Sequence, residues 1–170
     1  PCALPAIDGT LHSMSRRIVM RNSPIHGKGV FAAADLPAGE TLIEYKGRRI
    51  SHDRADRIYG DNGETGHTFL FTLNDDYVID ANVGGNTARW LNHGCEPNCQ
   101  AVTEEYEGSD RRRDRVLIET IRPIREGEEL VYDYGITLDE PHTPRLKKIW
   151  ACRCGAKSCS GTMLRPKRKR

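Results

Sequence analysis

Three cysteines near the C-terminal end of the chain stand in a C-x-C-x4-C spacing that suits metal binding: Cys152, Cys154 and Cys159. Thiolates at such spacings bind structural zinc, which takes four ligands in a closed tetrahedral site. A fourth ligand must therefore come from elsewhere in the chain. Cys95, in the phrase NHGCEPNC, is the obvious candidate, and Cys99 of the same phrase stays open as the alternative. A shared metal ion would tie the C-terminal segment to the loop that carries this phrase.

Disulfide bonds are the competing use of six cysteines. An even count is typical of small secreted proteins, but the N-terminal end lacks the apolar stretch of a signal peptide. The C-x-C pair is also too close in sequence for an easy bridge. We therefore predict one structural zinc ion, with Cys2 in an uninformative N-terminal leader and the cysteine that is not a ligand packed as a small buried residue.

Two tyrosines flank a carboxylate in the phrase ELVYDYG. Because side chains alternate along a strand, Tyr132 and Tyr134 should lie on one face of the chain and Asp133 on the other. On its own this is also the pattern of a half-buried strand whose two tyrosines satisfy their hydroxyls.

Two further phrases could contact a ligand. The glycines of Gly27-Lys28-Gly29 let the backbone approach a ligand closely, although a G-x-G between strands is commonly just a tight turn. The Asn92 amide can both donate and accept hydrogen bonds, which suits the amino-acid end of a ligand. A loop capped by its own Asn side chain is the competing interpretation.

The elements that must position these residues are short and mainly β. Runs rich in β-branched and aromatic residues predict six strands. They are Arg17–Met20, Thr41–Tyr45, His67–Leu73, Tyr77–Asp80, Val116–Ile121 and Glu129–Tyr132. One helix is predicted from Ser51 to Tyr59, because Ser51 is a good N-cap and Gly60 follows. The sequence predicts a mainly β fold with short helices and several small sheets.

Composition limits the classes of function. With 170 residues and 37% hydrophobic content, the chain can bury a single core, and it has no apolar run long enough to cross a membrane. We therefore predict a soluble, intracellular protein. Five of the last six residues are basic, and without them 21 Lys and Arg face 24 Asp and Glu. The body is thus not an electrostatic nucleic-acid binder, and only the tail could contact phosphates.

Five motifs in this order resemble the SET domain of protein lysine methyltransferases: HGKGVFA, EYKG, NHGCEPNC, YDYG and the terminal cysteine cluster. The resemblance runs from about Arg17 to Leu164. It implies a SET fold with a knot-like threading of the C-terminal segment past the Asn92-His93 loop, and it favours Cys95 over Cys99 as the fourth zinc ligand. It divides the chain into a leader (1–15), a SET domain (16–140), a post-SET zinc segment (141–164) and a basic tail (165–170).

The resemblance also implies that S-adenosylmethionine is the cofactor. It assigns Lys28 and Gly29 to the methionine part, and Asn92 and His93 to the amino-acid and adenine ends. Five more positions would contact the cofactor, the last three over its adenine: Phe69, Arg89, Trp150, Met163 and Leu164. Packing within the post-SET segment is the competing interpretation of the last three.

The tyrosines then gain implied roles. Tyr134 matches the catalytic tyrosine beside the transferred methyl, and Tyr132 matches the position that limits how many methyl groups fit. Tyr45 matches a tyrosine at the lysine end of the channel, and Phe71 matches the channel's apolar wall. A narrow apolar channel would favour a neutral amine by desolvation, as methyl transfer requires.

Three positions depart from the family pattern. Gly94 stands where Ser is usual, Trp90-Leu91 stands where Phe-Ile or Phe-Val is usual, and Phe69 stands where many relatives have a Tyr that helps hold the cofactor. The first weakens a local hydrogen bond and the last puts one cofactor contact in doubt.

The predicted function is S-adenosylmethionine-dependent methylation of a lysine on a protein substrate, histone or histone-like. The alternative is a zinc-stapled module that binds basic peptides without catalysis. Methylation of a small molecule fits less well, since the implied channel suits an inserted side chain. The protein would be cytoplasmic in a bacterium and nuclear if it acts on histones; its oligomeric state is not predicted.

Overall fold

The computed structural model describes residues 17–60, 69–138 and 140–166. Residues 1–15, predicted as a leader, lie outside the described residues, as does most of the predicted basic tail. Within these residues the chain forms ten strands and two α-helices. The strands are β1 (Ile18–Asn22), β2 (Lys28–Ala32), β3 (Thr41–Glu44), β4 (Arg48–Ser51), β5 (Leu70–Thr72), β6 (Tyr77–Asp80), β7 (Asn92–His93), β8 (Cys99–Glu104), β9 (Arg115–Thr120) and β10 (Glu129–Tyr132). The two α-helices are α1 (His52–Tyr59) and α2 (Pro144–Ile149).

The strands form three small sheets, which confirms the mainly β prediction. Their orders are β1-β2-β10-β7, β3-β9-β8 and β4-β6-β5. All pairs are antiparallel except β10 with β7, which run parallel. The core lies between the sheets, where Val30, Ile79, Ile118 and Leu130 are fully buried. No described helix has the length and apolarity that a membrane crossing requires.

Local signals in the sequence predict several elements correctly. The predicted strands Tyr77–Asp80 and Glu129–Tyr132 are confirmed residue for residue. Helix α1 is confirmed too. Its start shows the predicted cap, since the Ser51 side chain accepts a hydrogen bond from the Arg54 N–H. Of the predicted strand His67–Leu73, only Leu70–Thr72 is a described strand, and the first two residues lie outside the described part.

Five elements were not predicted: β2, β4, β7, β8 and α2. Strand β4 begins with two arginines, and its polar start is stabilised because Arg48 forms an ion pair with the buried Asp80. Helix α2 is six residues long and starts on a Thr143 cap followed by Pro144. Such short polar segments give weak periodic signals, since their partners are distant in sequence.

The C-terminal segment returns to the strand that carries the tyrosine pair. Ile136 pairs in parallel with Leu164, and the Arg165 N–H donates to the Ile136 carbonyl at 2.9 Å. The Arg165 guanidinium donates twice to Asp133 Oδ2, at 3.0 and 2.9 Å. These contacts hold the end of the described chain beside β7 and β10. The knot-like threading itself stays a prediction.

Candidate active site and metal centre

Four cysteines meet at one point of the fold, and we call them the cysteine cluster: Cys95, Cys152, Cys154 and Cys159. Their sulfur atoms all lie within 4.8 Å of one another. Cys95 Sγ is 3.7 Å from Cys152 Sγ and 3.8 Å from Cys159 Sγ. A tetrahedral zinc ion with bonds of about 2.3 Å separates its sulfur ligands by about 3.8 Å. The cluster therefore has the dimensions of a four-thiolate zinc site.

The surroundings of the cluster favour the thiolate form at Cys154, whereas burial raises the pKa values of the Cys95 and Cys152 thiols. The backbone N–H groups of Cys95, Cys154 and Gly161 each point at a cluster sulfur, at 3.4 to 3.5 Å. Although burial opposes ionisation, the backbone N–H groups of Cys95 and Ala156 lower the pKa of the Cys154 thiol to about 7. Such donors stabilise the charge that metal-bound sulfur carries.

Cys99 lies apart from this cluster. It is 1% exposed at the start of β8, inside the main core. Its burial raises the pKa of its thiol to about 12, so Cys99 is a neutral core residue. Of the two candidate metal ligands in the NHGCEPNC phrase, the structure therefore favours Cys95.

Four aromatic residues form a continuous wall that we call the tyrosine channel: Tyr45, Phe71, Tyr132 and Tyr134. Ring centroids are 5.2 Å apart for Tyr45 and Phe71, and 6.3 Å for Phe71 and Tyr132. The rings of Tyr132 and Tyr134 are 4.9 Å apart, which confirms that alternation places both phenols on one face. The four residues come from β3's end, β5 and β10's end, so only the tertiary fold unites them.

The channel hydroxyls stay protonated. Desolvation raises the pKa values of Tyr45, Tyr132 and Tyr134 above the ordinary tyrosine range, although Tyr134 is 36% exposed. The Tyr134 hydroxyl donates to the Leu91 carbonyl at 2.8 Å, which leaves its oxygen lone pairs as acceptors. These phenols can therefore orient a group by hydrogen bonding, but they do not serve as bases near neutral pH.

The four residues of the tyrosine channel line a cavity of about 1240 Å³. Of the residues predicted to contact a cofactor, seven line it: Lys28, Phe69, Arg89, Asn92, His93, Trp150 and Met163. Gly29 and Leu164 are not among the lining residues of the described chain, and Leu164 is 4% exposed in the core. This volume exceeds the usual range for one small ligand. It leaves space for a cofactor and an inserted side chain together.

The turn before β2 is held by a network that the sequence did not reveal. The Asn92 side chain donates to the Lys28 carbonyl at 3.0 Å and to Glu129 Oε1 at 2.8 Å. The Ser23 hydroxyl donates to the same carboxylate at 2.7 Å. The NH₂ group of the Asn92 side chain therefore stabilises the turn. The side-chain carbonyl oxygen of Asn92 has no protein partner among the described residues. The Ser and Glu involved lie in ordinary turn and strand phrases, so no local signal marked them.

The close packing of this network requires a glycine at position 29. A Cβ atom at this position would lie 2.3 Å from Glu129 Oε1 and 2.9 Å from Ser23 Cβ. We expect Gly29→Ala to lower the free energy of unfolding by about 1–3 kcal/mol, because the carboxylate must move. Denaturant unfolding followed by circular dichroism measures the change.

Gly60→Ala is the matched control for this substitution. Gly60 has φ −56°, and a Cβ there meets nothing within 4 Å. The control should be neutral or stabilise the protein by about 0.4–1 kcal/mol. Equal stability of the Gly29→Ala protein and the wild type would mean that the Glu129 network is not tightly packed.

His93 connects the cysteine cluster to the tyrosine channel. Its Nε2 lies 3.6 Å from Cys95 Sγ, and its Nδ1 accepts from the Tyr134 N–H at 3.2 Å. Burial lowers the pKa of His93, against an opposing effect of Asp133. The network thus assigns a neutral ring with its proton on Nε2, facing the sulfur. A structural change at the cysteine cluster would therefore be transmitted to the backbone of Tyr134 through the His93 side chain.

Two cations pack on the aromatic floor of the cavity. The Arg89 guanidinium lies 4.7 Å from the Trp90 ring centroid and donates to the Ala81 carbonyl at 3.0 Å. Lys28 Nζ lies 5.4 Å from the same ring. Phe69 meets Trp90 edge to face at 5.0 Å. This side of the cavity therefore suits an anionic group next to an apolar one.

Small β-sheets, the tyrosine channel and a cysteine cluster that joins the C-terminal segment to Cys95 together define a SET-type domain. The SET domain sequence profile matches residues 27–135. The chain belongs to the SET domain family.

Named relatives agree with this assignment. The histone-lysine N-methyltransferase trithorax of Drosophila virilis is 36% identical over 140 residues, which are 81% of this chain and 3% of that protein. Human histone-lysine N-methyltransferase 2B is 37% identical over 81% of this chain and 5% of its own length. The H3 lysine-4 specific histone-lysine N-methyltransferase of Saccharomyces cerevisiae is 36% identical over 89% of this chain and 13% of its own length. This chain thus spans only a small part of these relatives.

A solved structure shares the fold. The humanized mutant of the Chaetomium thermophilum Polycomb Repressive Complex 2, bound to the inhibitor GSK126, has a TM-score of 0.61 to this chain with 34% sequence identity. The match covers 71% of this chain and 15% of that chain.

Proposed function

We propose that this chain transfers a methyl group from S-adenosylmethionine to a lysine side chain of a protein substrate. The observation that carries the proposal is the tyrosine channel, whose two buried phenols Tyr45 and Tyr132 have no hydroxyl partner in the described chain and line the cavity beside Tyr134. An apolar channel with unused hydroxyls suits a long side chain with a polar tip. A lysine side chain has this form.

The cavity fits the proposed cofactor. Lys28 and Arg89 would meet the carboxylate of its amino-acid end, and the accepting oxygen of Asn92 would meet the ammonium. Two sets of residues would complete the cofactor site. Gly29 and Phe69 would lie beside the methionine part. The residues beside the adenine would be His93, Trp150, Met163 and Leu164. When bound, the cofactor supplies an electrophilic methyl group on a positively charged sulfur.

The chain's own residues would prepare the amine. The aromatic wall of Tyr45, Phe71 and Tyr132 excludes water, which disfavours the charged ammonium and leaves a nucleophilic lone pair. The Tyr134 oxygen, held by its donation to Leu91, accepts an N–H or a polarised C–H bond at the transfer point. Most of the rate enhancement would thus come from alignment and desolvation.

The cysteine cluster would hold one zinc ion through its four thiolates. Its spacing fits this ion, and the metal would fix the C-terminal segment that carries Trp150 against the loop of Asn92. Its part in the reaction would be structural, since all four positions of the tetrahedron would be taken by protein.

A histone lysine is the substrate we propose to test first, because the named relatives are histone-lysine N-methyltransferases. If the substrate is a histone, the protein would act in the nucleus. If the protein is bacterial, its substrate would be a histone-like protein in the cytoplasm. Contact with nucleic acid would be limited to the basic tail.

The proposal is tested by incubating the chain with S-adenosylmethionine and lysine peptides, followed by intact-mass measurement. Cofactor at about 100 times its dissociation constant should also stabilise the fold by about 2.7 kcal/mol. Stabilisation without methylation of any peptide or protein would favour a cofactor-bound recognition module. The absence of both stabilisation and methylation would refute the proposed cofactor and the proposed reaction together.

A non-catalytic module for basic peptides is the second candidate. The described lining of the cavity contains Lys28, Arg89, Arg145, Lys148 and Arg153 but no carboxylate, so a module whose only task is to bind basic peptides would find no ion-pair partner there. The retained channel tyrosines likewise have no use in such a module.

Tyr132 should limit the number of methyl groups transferred. It is 7% exposed and faces Phe71, so its hydroxyl occupies space and orientation that a second methyl group requires. We expect mainly monomethyl-lysine from the wild type, and Tyr132→Phe should raise the ratio of higher methylated products by about tenfold. Intact-mass time courses on one peptide measure it. Unchanged product ratios would show that Tyr132 does not face the amine.

A further inference from the structure

The last described residues of the chain run beside the turn that follows Tyr134. Leu164 is 4% exposed and pairs in parallel with Ile136, and the Arg165 N–H donates to the Ile136 carbonyl at 2.9 Å. The Arg165 guanidinium adds two hydrogen bonds to Asp133 Oδ2, from Nε at 3.0 Å and from Nη2 at 2.9 Å. Arg165, which the sequence assigns to a basic tail, is therefore docked on the fold.

The Asp133 carboxylate joins two segments of the chain. Its Oδ1 accepts the Gly135 N–H at 2.8 Å, while its Oδ2 accepts the guanidinium of Arg165. Gly135 has φ +64°, and a Cβ atom there would lie 3.2 Å from Arg165 Cζ. The guanidinium thus packs against a turn that begins directly after Tyr134. We call the ion pair of Asp133 and Arg165 the C-terminal clamp.

Both sides of the clamp contribute to the lining of the cavity. Tyr134, Gly135 and Ile136 line it from the turn, and Trp150 and Met163 line it from the C-terminal segment. The Met163 N–H donates to the Trp150 carbonyl at 2.8 Å, so these two residues are held together. The clamp therefore sets the distance between two walls of the cavity.

The proposed zinc ion would not fix this segment alone. It would hold the segment at Cys159, whereas Met163 lies four residues further on and Arg165 two residues beyond Met163. Cluster and clamp thus hold the chain on either side of Met163. Loss of the clamp would leave Met163 anchored from the cluster side and by its neighbours' backbone contacts only.

We propose that Arg165, through Asp133, is a positioning residue that holds the Trp150 and Met163 wall of the cavity in place for S-adenosylmethionine. This inference rests on the proposed methyltransferase function, which supplies the ligand. Arg165 is not among the residues that line this cavity, so its effect on the ligand is indirect. The clamp stabilises only the docked segment, and therefore its contribution appears in cofactor affinity.

General stabilisation of the fold is the competing role for this ion pair. The side chains of Arg165 and Asp133 are 55% and 37% exposed, and exposed ion pairs contribute little to the free energy of unfolding. The ion pair of Arg122 and Glu128 is nearly identical in exposure, at 49% and 34%, and in its contact distance of 2.9 Å. Neither Arg122 nor Glu128 lines the cavity. This second pair is therefore a matched control.

Isothermal titration calorimetry with S-adenosylmethionine tests the proposal on purified variants. Arg165→Ala should raise the dissociation constant about two- to fivefold, which is the contribution of an exposed ion pair. Arg165→Glu should raise it about tenfold, because repulsion from Asp133 replaces the attraction. Arg165→Lys should restore part of the affinity, since it keeps the charge without the planar fork. Arg122→Ala and Arg122→Glu should leave the dissociation constant unchanged.

Steady-state kinetics with one histone peptide adds a second measurement. We expect the KM for cofactor to rise with its dissociation constant in Arg165→Glu, while kcat changes less than about twofold. Asp133→Asn retains an acceptor for the Gly135 N–H, and its effect on affinity should not add to that of Arg165→Ala. Zinc content and melting temperature verify that each variant keeps its metal and its fold.

Hydrogen exchange of the Met163 amide reports on the clamp without cofactor or turnover. This amide should exchange faster in Arg165→Glu than in Arg122→Glu and the wild type. Equal cofactor affinity of Arg165→Glu and the wild type, or an equal loss of affinity in Arg122→Glu, would overturn the positioning role. If the wild type binds no S-adenosylmethionine, the methyltransferase function fails. The Met163 exchange then decides the positioning role by itself, and unchanged exchange would overturn it.

Discussion

Tyr134→Phe is expected to lower the rate of lysine methylation by about a hundredfold or more, while the fold and cofactor affinity remain nearly unchanged. The substitution removes one oxygen whose position is set by donation to the Leu91 carbonyl at 2.8 Å. Loss of one positioned hydrogen-bonding group at a transfer point costs about 10²- to 10³-fold in kcat. The ring itself stays between Tyr132 and His93, so little packing is lost.

Single-turnover methylation with saturating cofactor measures this effect on the chemical step. Tyr106→Phe is the matched control, since Tyr106 is 37% exposed at the tip between β8 and β9 and does not line the cavity. Removal of the Tyr106 hydroxyl should leave the rate of lysine methylation unchanged. A Tyr134→Phe protein that methylates as fast as the control would remove Tyr134 from the reaction.

The second large effect is expected at the cysteine cluster. Cys154→Ser should reduce bound zinc from one ion per chain to a small fraction and lower activity by about tenfold or more. Cys154 Sγ accepts the Cys95 N–H, and Cys95 in turn contacts His93, which accepts the Tyr134 N–H. Loss of the metal should therefore disturb Tyr134 more than the central sheets.

Elemental analysis, activity and far-ultraviolet circular dichroism separate these effects. Cys99→Ala is the control, because it removes a buried thiol outside the cluster. It should keep its zinc and its activity, although the lost sulfur lowers stability. Fully active wild-type protein without zinc would contradict the metal assignment.

Several features of this protein follow from short stretches of sequence. Strand β10 and the common face of Tyr132 and Tyr134 follow from alternation alone, and α1 follows from its Ser51 cap. The C-x-C-x4-C spacing predicts a thiolate site. These predictions hold because strand alternation, helix capping and ligand spacing depend on atoms only a few residues apart.

Other features depend on the whole fold. Cys95 and Cys99 are four residues apart and equally able to bind a metal by sequence, but only Cys95 is brought within 3.7 Å of Cys152. The sequence suggests that the glycine at position 29 lets a ligand approach, whereas its immediate neighbour is the carboxylate of Glu129, 100 residues later in the chain.

The sequence by itself thus determined the chemical groups, their local spacing and, through its motifs, their resemblance to a family. The tertiary structure alone decided which thiol joins the cluster, how Tyr45 and Phe71 meet the tyrosine pair, and that Lys148 and Arg153 border the cavity. The physical reason is that local backbone rules act within a few residues. Contacts between distant segments exist only once the sheets have packed and buried their apolar faces.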